Sequence, residues 1–401
     1  MRPLSALFTV CVIDVLGFGI MVPLLPYMAD RFGAAPAVIT AILGSYSACQ
    51  LVAAPLWGRL SDHFGRRPIL LTSMFGACCS YLLLAFARDL TWLLVSRMLA
   101  GFMAGNLSAA MAYASDISKP ADRAKTLGMI GAAIGLGFMI GPAVGGALAG
   151  ESVQGANFQV PALLSAALSI TAMMLVLFVL PESRTAAQRA AQRASGARRL
   201  HIWHALRLRP ALRWLTLSTL LVTFSQSTLE SIFAIWALNR YHVGPRTIGF
   251  ALFALAIVAV AMQGGFVRRL VPRLGEYRLA MAGVAAWVLG LLTVAFSGSL
   301  GEAIAGLALC GLGAGAFTPT GSAMASHEAD EHNRGTVMGT YQSGTSLARV
   351  IGPFVAGPMY MRFGQSSPYL LGAAVTLQAL WCLASAHRHR TLDPLSEQPA
   401  T

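Results

Sequence analysis

The chain has 401 residues, of which 56% are apolar and only 11% charged, with a mean hydropathy of +0.64. A water-facing surface needs more charge than that, so a soluble globular domain is excluded. A net charge of +13 would fit a nucleic-acid binder, but the basic residues fall where membrane topology puts them, and no nucleic acid is expected as a partner.

Twelve stretches of about 20 residues, each long enough as a helix to cross the hydrocarbon core, begin near Leu4, Val38, Ile69, Leu90, Ala124, Phe158, Leu212, Thr247, Leu279, Ala303, Thr336 and Ser367. The first lacks a small-residue cleavage site and is expected to remain as a spanning helix. Most of the 29 Lys and Arg then lie in cytoplasmic segments if both termini are inside, and the opposite orientation inverts the bias. The expected organisation is a six-helix bundle over 1–180, a cytoplasmic basic linker over 181–211, a second six-helix bundle over 212–387 and a cytoplasmic tail over 388–401. The linker region holds eight Arg between Pro181 and Arg213 and reads as a segment that anionic lipid can hold at the membrane surface. The six Cys lie in apolar runs without metal spacing and are expected to pack as small hydrophobes; no metal is expected.

Six places along the chain carry charge or small residues in a pattern that needs an explanation. Asp14 lies ten residues into the first span, about 15 Å deep, where a charged carboxylate is costly and its protonation couples readily to conformation. Gly58-Arg-Leu-Ser-Asp62-His-Phe-Gly65-Arg66-Arg67-Pro68 joins the second and third spans. There Gly58 is expected to let two helices touch and Gly65 to permit a tight turn, with Asp62 and Asp116 both within reach of Arg66 and its neighbour Arg67. Arg97-x3-Gly101-x3-Gly105 puts a guanidinium inside the fourth span, where it must be paired or hydrated. The fifth span carries Gly137, Gly141, Pro142, Gly145 and Gly146, small residues that let a neighbouring helix approach. The seventh carries Gln226 and Glu230, and the eleventh a buried charge, Arg349.

The halves repeat. Arg123-x4-Gly128-x12-Gly141-Pro142 recurs as Arg334-x4-Gly339-x12-Gly352-Pro353, 211 residues on, as in transporters built from parallel six-helix repeats.

These motifs resemble the major facilitator superfamily, in particular its drug:proton antiporter branch and the tetracycline-efflux relatives within it. The resemblance implies an all-α membrane fold of twelve helices in two pseudo-symmetric bundles and a transporter rather than an enzyme. It implies export of a small molecule from a bacterial inner membrane in exchange for protons by alternating access, with the proton gradient as the energy source, no cofactor, and a monomer in the bilayer. It makes the Gly58 to Pro68 loop with Asp116 a conformational latch, and the fifth-span glycines an antiporter motif. It places Asp14, Arg97, Asn106 and Glu230 on a central cavity, with Gln226, Phe233 and Trp236 beside it. Arg349 is left with two roles, neutralising Asp14 or Glu230, or closing the interface between halves. The chain departs from the tetracycline pumps at three positions: their third-span acid is Ser80 here, and their eighth-span His and ninth-span Asp fall near Ala259 and Trp287, which puts tetracycline itself in doubt. Two other readings stay open: an uptake symporter or facilitator for a metabolite, and a membrane enzyme or sensor, the latter opposed by the lack of any nucleophile or metal motif.

Overall fold

A computed structural model describes residues 3–119, 122–183, 209–329 and 334–391 of the chain. Most of the expected basic linker and tail lie outside the described residues. Among those described there is no strand, and the helices are α1 (Pro3–Met21), α2 (Leu25–Arg31), α3 (Pro36–Phe64), α4 (Arg66–Ala85), α5 (Leu90–Met103), α6 (Asn106–Ile117), α7 (Arg123–Ala149) and α8 (Gln159–Val179). They continue with α9 (Pro210–Tyr241), α10 (Pro245–Ala261), α11 (Val267–Phe296), α12 (Leu300–His327), α13 (Arg334–Phe363) and α14 (Ser367–Thr391). A five-residue π turn, Met262–Phe266, joins α10 to α11.

Ten stretches are long and apolar enough to span a membrane. One of them, Pro245–Phe296, has 52 residues and turns at Gly275 (φ 77, ψ 159), so it supplies the eighth and ninth spans. The 30-residue α13 adds the eleventh, and the described helices form twelve rods as expected. Two rods are interrupted: the first between Met21 and Leu25, where α2 restarts with proline in its first turn, and the fourth between Met103 and Asn106. Caps mark several starts. Asp89 accepts the amide hydrogens of Thr91 and Trp92 at α5, and Ser299 with Glu302 forms a capping box at α12.

The chain divides into two compact units. One comprises the described residues of Met1–Ala197 with Phe233–Ala256, the other those of Arg198–Ile232 with Ile257–Thr401. Leu7, Val10, Trp57, Leu70, Tyr113, Ile130 and Val176 belong to the first unit's core. Leu212, Leu215, Val284, Phe317, Tyr341 and Leu383 belong to the second's.

The fifth-span glycines explain themselves in the first unit. A side-chain carbon at Gly137 would stand 2.8 Å from the Leu16 nitrogen, one at Gly141 would stand 2.6 Å from the Gly19 carbonyl carbon, and one at Gly145 would collide with the Ile20 carbonyl. Backbone thus lies on backbone along α1 and α7, the contact that small residues permit in lipid. On the other face of α7, Gly146 meets the Pro245 carbonyl, at 2.6 Å from a would-be Cβ, while Gly249 of α10 lies against the Pro142 carbonyl. The second unit repeats the device, with Gly344 and Gly352 of α13 seated on the Thr216 and Phe224 carbonyls of α9. Gly58 is a correction: no atom lies within 4 Å of where its side chain would be, so it does not bring two helices together in this structure.

Gly145→Val is therefore expected to lower the melting temperature in detergent by several degrees, from an overpacking cost of ~2 kcal/mol. Gly131→Ala, on the same helix with nothing within 4 Å, should leave it unchanged. Thermal unfolding of the purified variants checks both.

Candidate transport site and ion network

The break in the fourth rod sets the position of the polar groups in the first unit. At Gly105 a side-chain carbon would run into the Trp57 ring, at 2.5 Å from Cγ, so only glycine admits that indole. The Trp57 N–H donates to the Phe102 carbonyl, satisfying an acceptor that the break releases from the helix ladder. The chain then restarts with Asn106, whose side-chain amide donates to the Asp14 carboxylate. Cys11, Met74, Leu70 and Leu107 close around the pair and leave a space of about 10 Å³, enough for one water.

Arg97 sits one strand of contacts away and is 1% exposed, so it faces packed protein and not the open cavity expected for it. Its Nη2 donates to the Ser80 hydroxyl at 3.4 Å, while its Nε has no hydrogen-bond partner. Ser80 and Ser96 hold each other by reciprocal hydroxyl-to-carbonyl bonds of 3.1 and 2.9 Å, which fix α4 against α5. Gly101 lets the Tyr46 backbone lie against α5, and the hydroxyls of Tyr46 and Tyr81 are in electrostatic range of the guanidinium. Tyr81 feels both Asp14 and Arg97. No described carboxylate pairs with Arg97, and the position where the tetracycline pumps carry an acid is the serine that touches it.

The remaining predicted cavity residues separate into two groups. Phe233 and Trp236 are 1% and 0% exposed, with ring centroids 5.8 Å apart, and do not line open space as expected: apolar rings gain most by packing on each other. Glu230 has an exposed side at the α9 surface although its carboxyl lies among enough protein to be desolvated, and Gln226, one turn earlier, is half-buried. Arg349 is exposed too, which corrects the expectation of a buried charge; its long side chain keeps the guanidinium out of the packed layer and close enough to act on the Glu230 carboxylate. Within the second unit, Arg349 is thus in electrostatic range of Glu230. The position of the ninth-span acid is filled by Trp287, whose ring N–H donates to the Ser225 hydroxyl at 2.9 Å.

At the turn between α3 and α4, the loop motif builds an ion network inside the first unit. Arg66, 5% exposed, pairs with Asp62 at 2.8 Å and Asp116 at 3.2 Å and donates to the Ser61 hydroxyl at 2.8 Å. Glu182 completes it. Its two oxygens accept the backbone amide hydrogens of Arg66 and Arg67 at 2.9 and 3.2 Å, placing an anion at the amino end of α4. Gly65, at φ +108, makes this possible, because a side chain there would occupy the carboxylate's place. Ser183 donates to Asp116 at 3.2 Å, and Arg67 reaches the Leu177 carbonyl. Sequence reasoning missed Glu182 and Ser183; the signal was an acid directly after the sixth span, in Pro181-Glu182-Ser183. It also missed Glu151, whose Oε1 accepts the Gly244 amide hydrogen at 3.0 Å and the Thr247 hydroxyl at 2.8 Å at the start of α10.

Comparison with known proteins agrees with this picture. The sequence profile of the Major Facilitator Superfamily matches residues 7–279 and 215–400. The chain is 25% identical over 396 residues to the class H tetracycline resistance protein of Pasteurella multocida, covering 97% of each. It is 28% identical over 440 residues to major facilitator superfamily domain-containing protein 10 of Bos taurus, covering 98% of this chain and 93% of that one. The crystal structure of the human organic anion transporter MFSD10 superposes with a TM-score of 0.73 at 26% identity, over 95% of this chain and 99% of the other. The chain belongs to the Major Facilitator Superfamily and is a multi-pass membrane transporter, not an enzyme.

Proposed function

We propose that the chain exports small, lipophilic or cationic compounds in exchange for protons by alternating access. It works as a monomer in a bacterial inner membrane with both termini in the cytoplasm, and the proton gradient is its only energy source. The observation that carries this reading is Asp14: a carboxylate within a span, bonded to a neutral amide and not to a cation, beside room for one water. A carboxylate so placed is stable in hydrocarbon when protonated and costly when charged, which ties its protonation to the conformation that admits water or cargo. Glu230 supplies a second acid, within the α9 span, with Arg349 as its competing cation. The tetracycline resistance relatives support export; the helix contact built by Gly141 and Gly145 supports an antiporter.

A second reading is favoured by Arg97. A buried guanidinium with an unpartnered Nε and no described carboxylate is a place for a cargo anion to bind, and one relative is an organic anion transporter. On this reading cargo approaches Arg97 only after the helices around it separate.

Proteoliposomes made acid inside, with lumenal pH followed during additions of tetraphenylphosphonium, tetracycline and 2-naphthoate, separate the two. On the leading reading tetraphenylphosphonium dissipates the gradient, and Asp14→Asn or Glu230→Gln lowers that proton flux at least about tenfold, the effect of 1.4 kcal/mol. On the second, 2-naphthoate is the compound carried, and Arg97→Gln abolishes its movement while leaving the response to cations within twofold.

The Arg66 network acts, on this proposal, as the latch that steadies one conformation of the cycle. Glu182→Gln keeps the shape but removes the charge at the amino end of α4, worth ~1–2 kcal/mol in a partly buried setting. Tetraphenylphosphonium exchange is expected to change about five- to thirtyfold in rate at unchanged apparent affinity, measured by counterflow.

A further inference from the structure

Helix α9 is unusually rich in hydroxyls, and they do not all behave alike. Ser218, Ser227 and Ser231 each donate to a carbonyl three residues earlier in their own helix, at 2.8, 3.1 and 3.0 Å, which is the ordinary way a hydroxyl satisfies itself in a span. Ser225 is taken by Trp287. Thr219 leaves its own helix: its hydroxyl donates to the Tyr341 hydroxyl on α13. Tyr341 has Ser322 of α12 as a further hydrogen-bonding neighbour, and Gly321 is required beside it, since a side chain there would stand 2.5 Å from the phenol oxygen. Thr219 and Tyr341 are 3% and 5% exposed, so this chain of hydroxyls lies inside the second unit.

The helical register connects it to an acid. Thr219, Thr223, Gln226 and Glu230 follow at i, i+4, i+7 and i+11, one face of α9 with a polar group in each turn. Successive groups are about 5–6 Å apart on that face, the span of one bridging water. On the same face one turn below Thr219 lies Leu215, which with Met324, His327, Glu276 and His387 lines a cavity of about 660 Å³. His327 and Glu276, 3.2 Å apart, stand at its rim.

Resting on the proton-exchange reading, we infer that the second unit holds its own proton path, running from Glu230 along Gln226 and Thr223 to the Thr219, Tyr341 and Ser322 hydroxyls and out through the cavity beside His327. Each hydroxyl or water accepts a proton on an oxygen lone pair and passes on the one it held, so every O–H bond formed is matched by one broken. The proton that leaves the Glu230 carboxyl is delivered to the cavity, and the carboxylate left behind is stabilised by Arg349, the charged group that acts on it. Tyr341 is a positioning and relay residue here, since it touches neither cargo nor the acid.

Tyr341→Phe keeps the ring and removes the hydroxyl. In proteoliposomes, the proton flux driven by tetraphenylphosphonium is expected to fall at least tenfold, while proton-independent exchange of labelled tetraphenylphosphonium stays within twofold of wild type. Thr219→Val, which removes the partner hydroxyl at constant shape, should do the same, and it serves as the test if the tyrosine variant does not fold. Proton flux within twofold of wild type in a folded variant overturns the path, as does an equal fall in exchange and proton flux, which marks a merely structural bond. A wild type that exchanges tetraphenylphosphonium without moving protons overturns the export reading itself, a result the variants cannot mimic.

Discussion

Where Gly145 passes Ile20 there is no room for a single carbon atom between α7 and α1. In water such closeness would be one arrangement among many, because apolar burial is non-directional. In lipid it is the association itself: hydrocarbon solvates leucine as well as a neighbouring helix does, so two helices hold together through van der Waals contact and the hydrogen bonds that closeness allows. The seating of α1 against Gly137, Gly141 and Gly145 fixes which way Asp14 points, and Asp14 then finds Asn106 across the break in the fourth rod. The seating of α13 on α9 at Gly344 and Gly352 fixes, in the same manner, that Tyr341 meets Thr219.

Polar groups placed by those contacts are satisfied in different ways. Arg66 is the best-compensated case: two carboxylates, a hydroxyl, and a third carboxylate on its own backbone amide offset the cost of burying it. Asp14 has a neutral partner, an arrangement that suits a protonated acid better than a charged one. Arg97 has one hydroxyl and an unpartnered Nε. This gradient from satisfied to unsatisfied runs from the turn between α3 and α4 into the span, and the under-satisfied buried groups are the ones that call for an explanation beyond packing.

Much of this is legible in the sequence, for a physical reason. A bilayer demands about 20 apolar residues per crossing whatever the function, so span starts from Leu4 to Ser367 fall within three residues of helix starts, apart from the ninth, which begins beyond Gly275. Motif glycines are legible because nothing else fits at Gly105 or Gly145, and the Asp62, Arg66 and Asp116 group because opposite charges at one membrane face meet. Sequence distance hides the rest. Glu182 lies more than a hundred residues from the amides it caps, and Glu151 more than ninety from the Gly244 amide and Thr247 hydroxyl that it accepts at the start of α10. Exposure is hidden as well: Phe233 and Trp236 have the composition of a binding surface, yet the rings pack on each other, while Glu230 and Arg349 stand open. A hydropathy pattern reports how apolar a residue is and not which of its neighbours fills the adjoining space. Gly58 shows the converse, a motif position with no neighbour in this arrangement of helices.

The two repeats share their packing but not their polar chemistry. Gly141 and Gly352 hold matching places 211 residues apart, and each sits where two helices come close, α7 to α1 and α13 to α9. The residues those contacts bring together are free to differ, and they do: an acid, an amide and an unpaired guanidinium in the first unit, an exposed acid facing a guanidinium and a file of hydroxyls in the second. Repetition of a fold therefore doubles the number of interiors that can be specialised. A carboxylate bonded to a neutral amide and another acted on by a guanidinium place opposite demands on their surroundings, and two interiors let each acid keep its own.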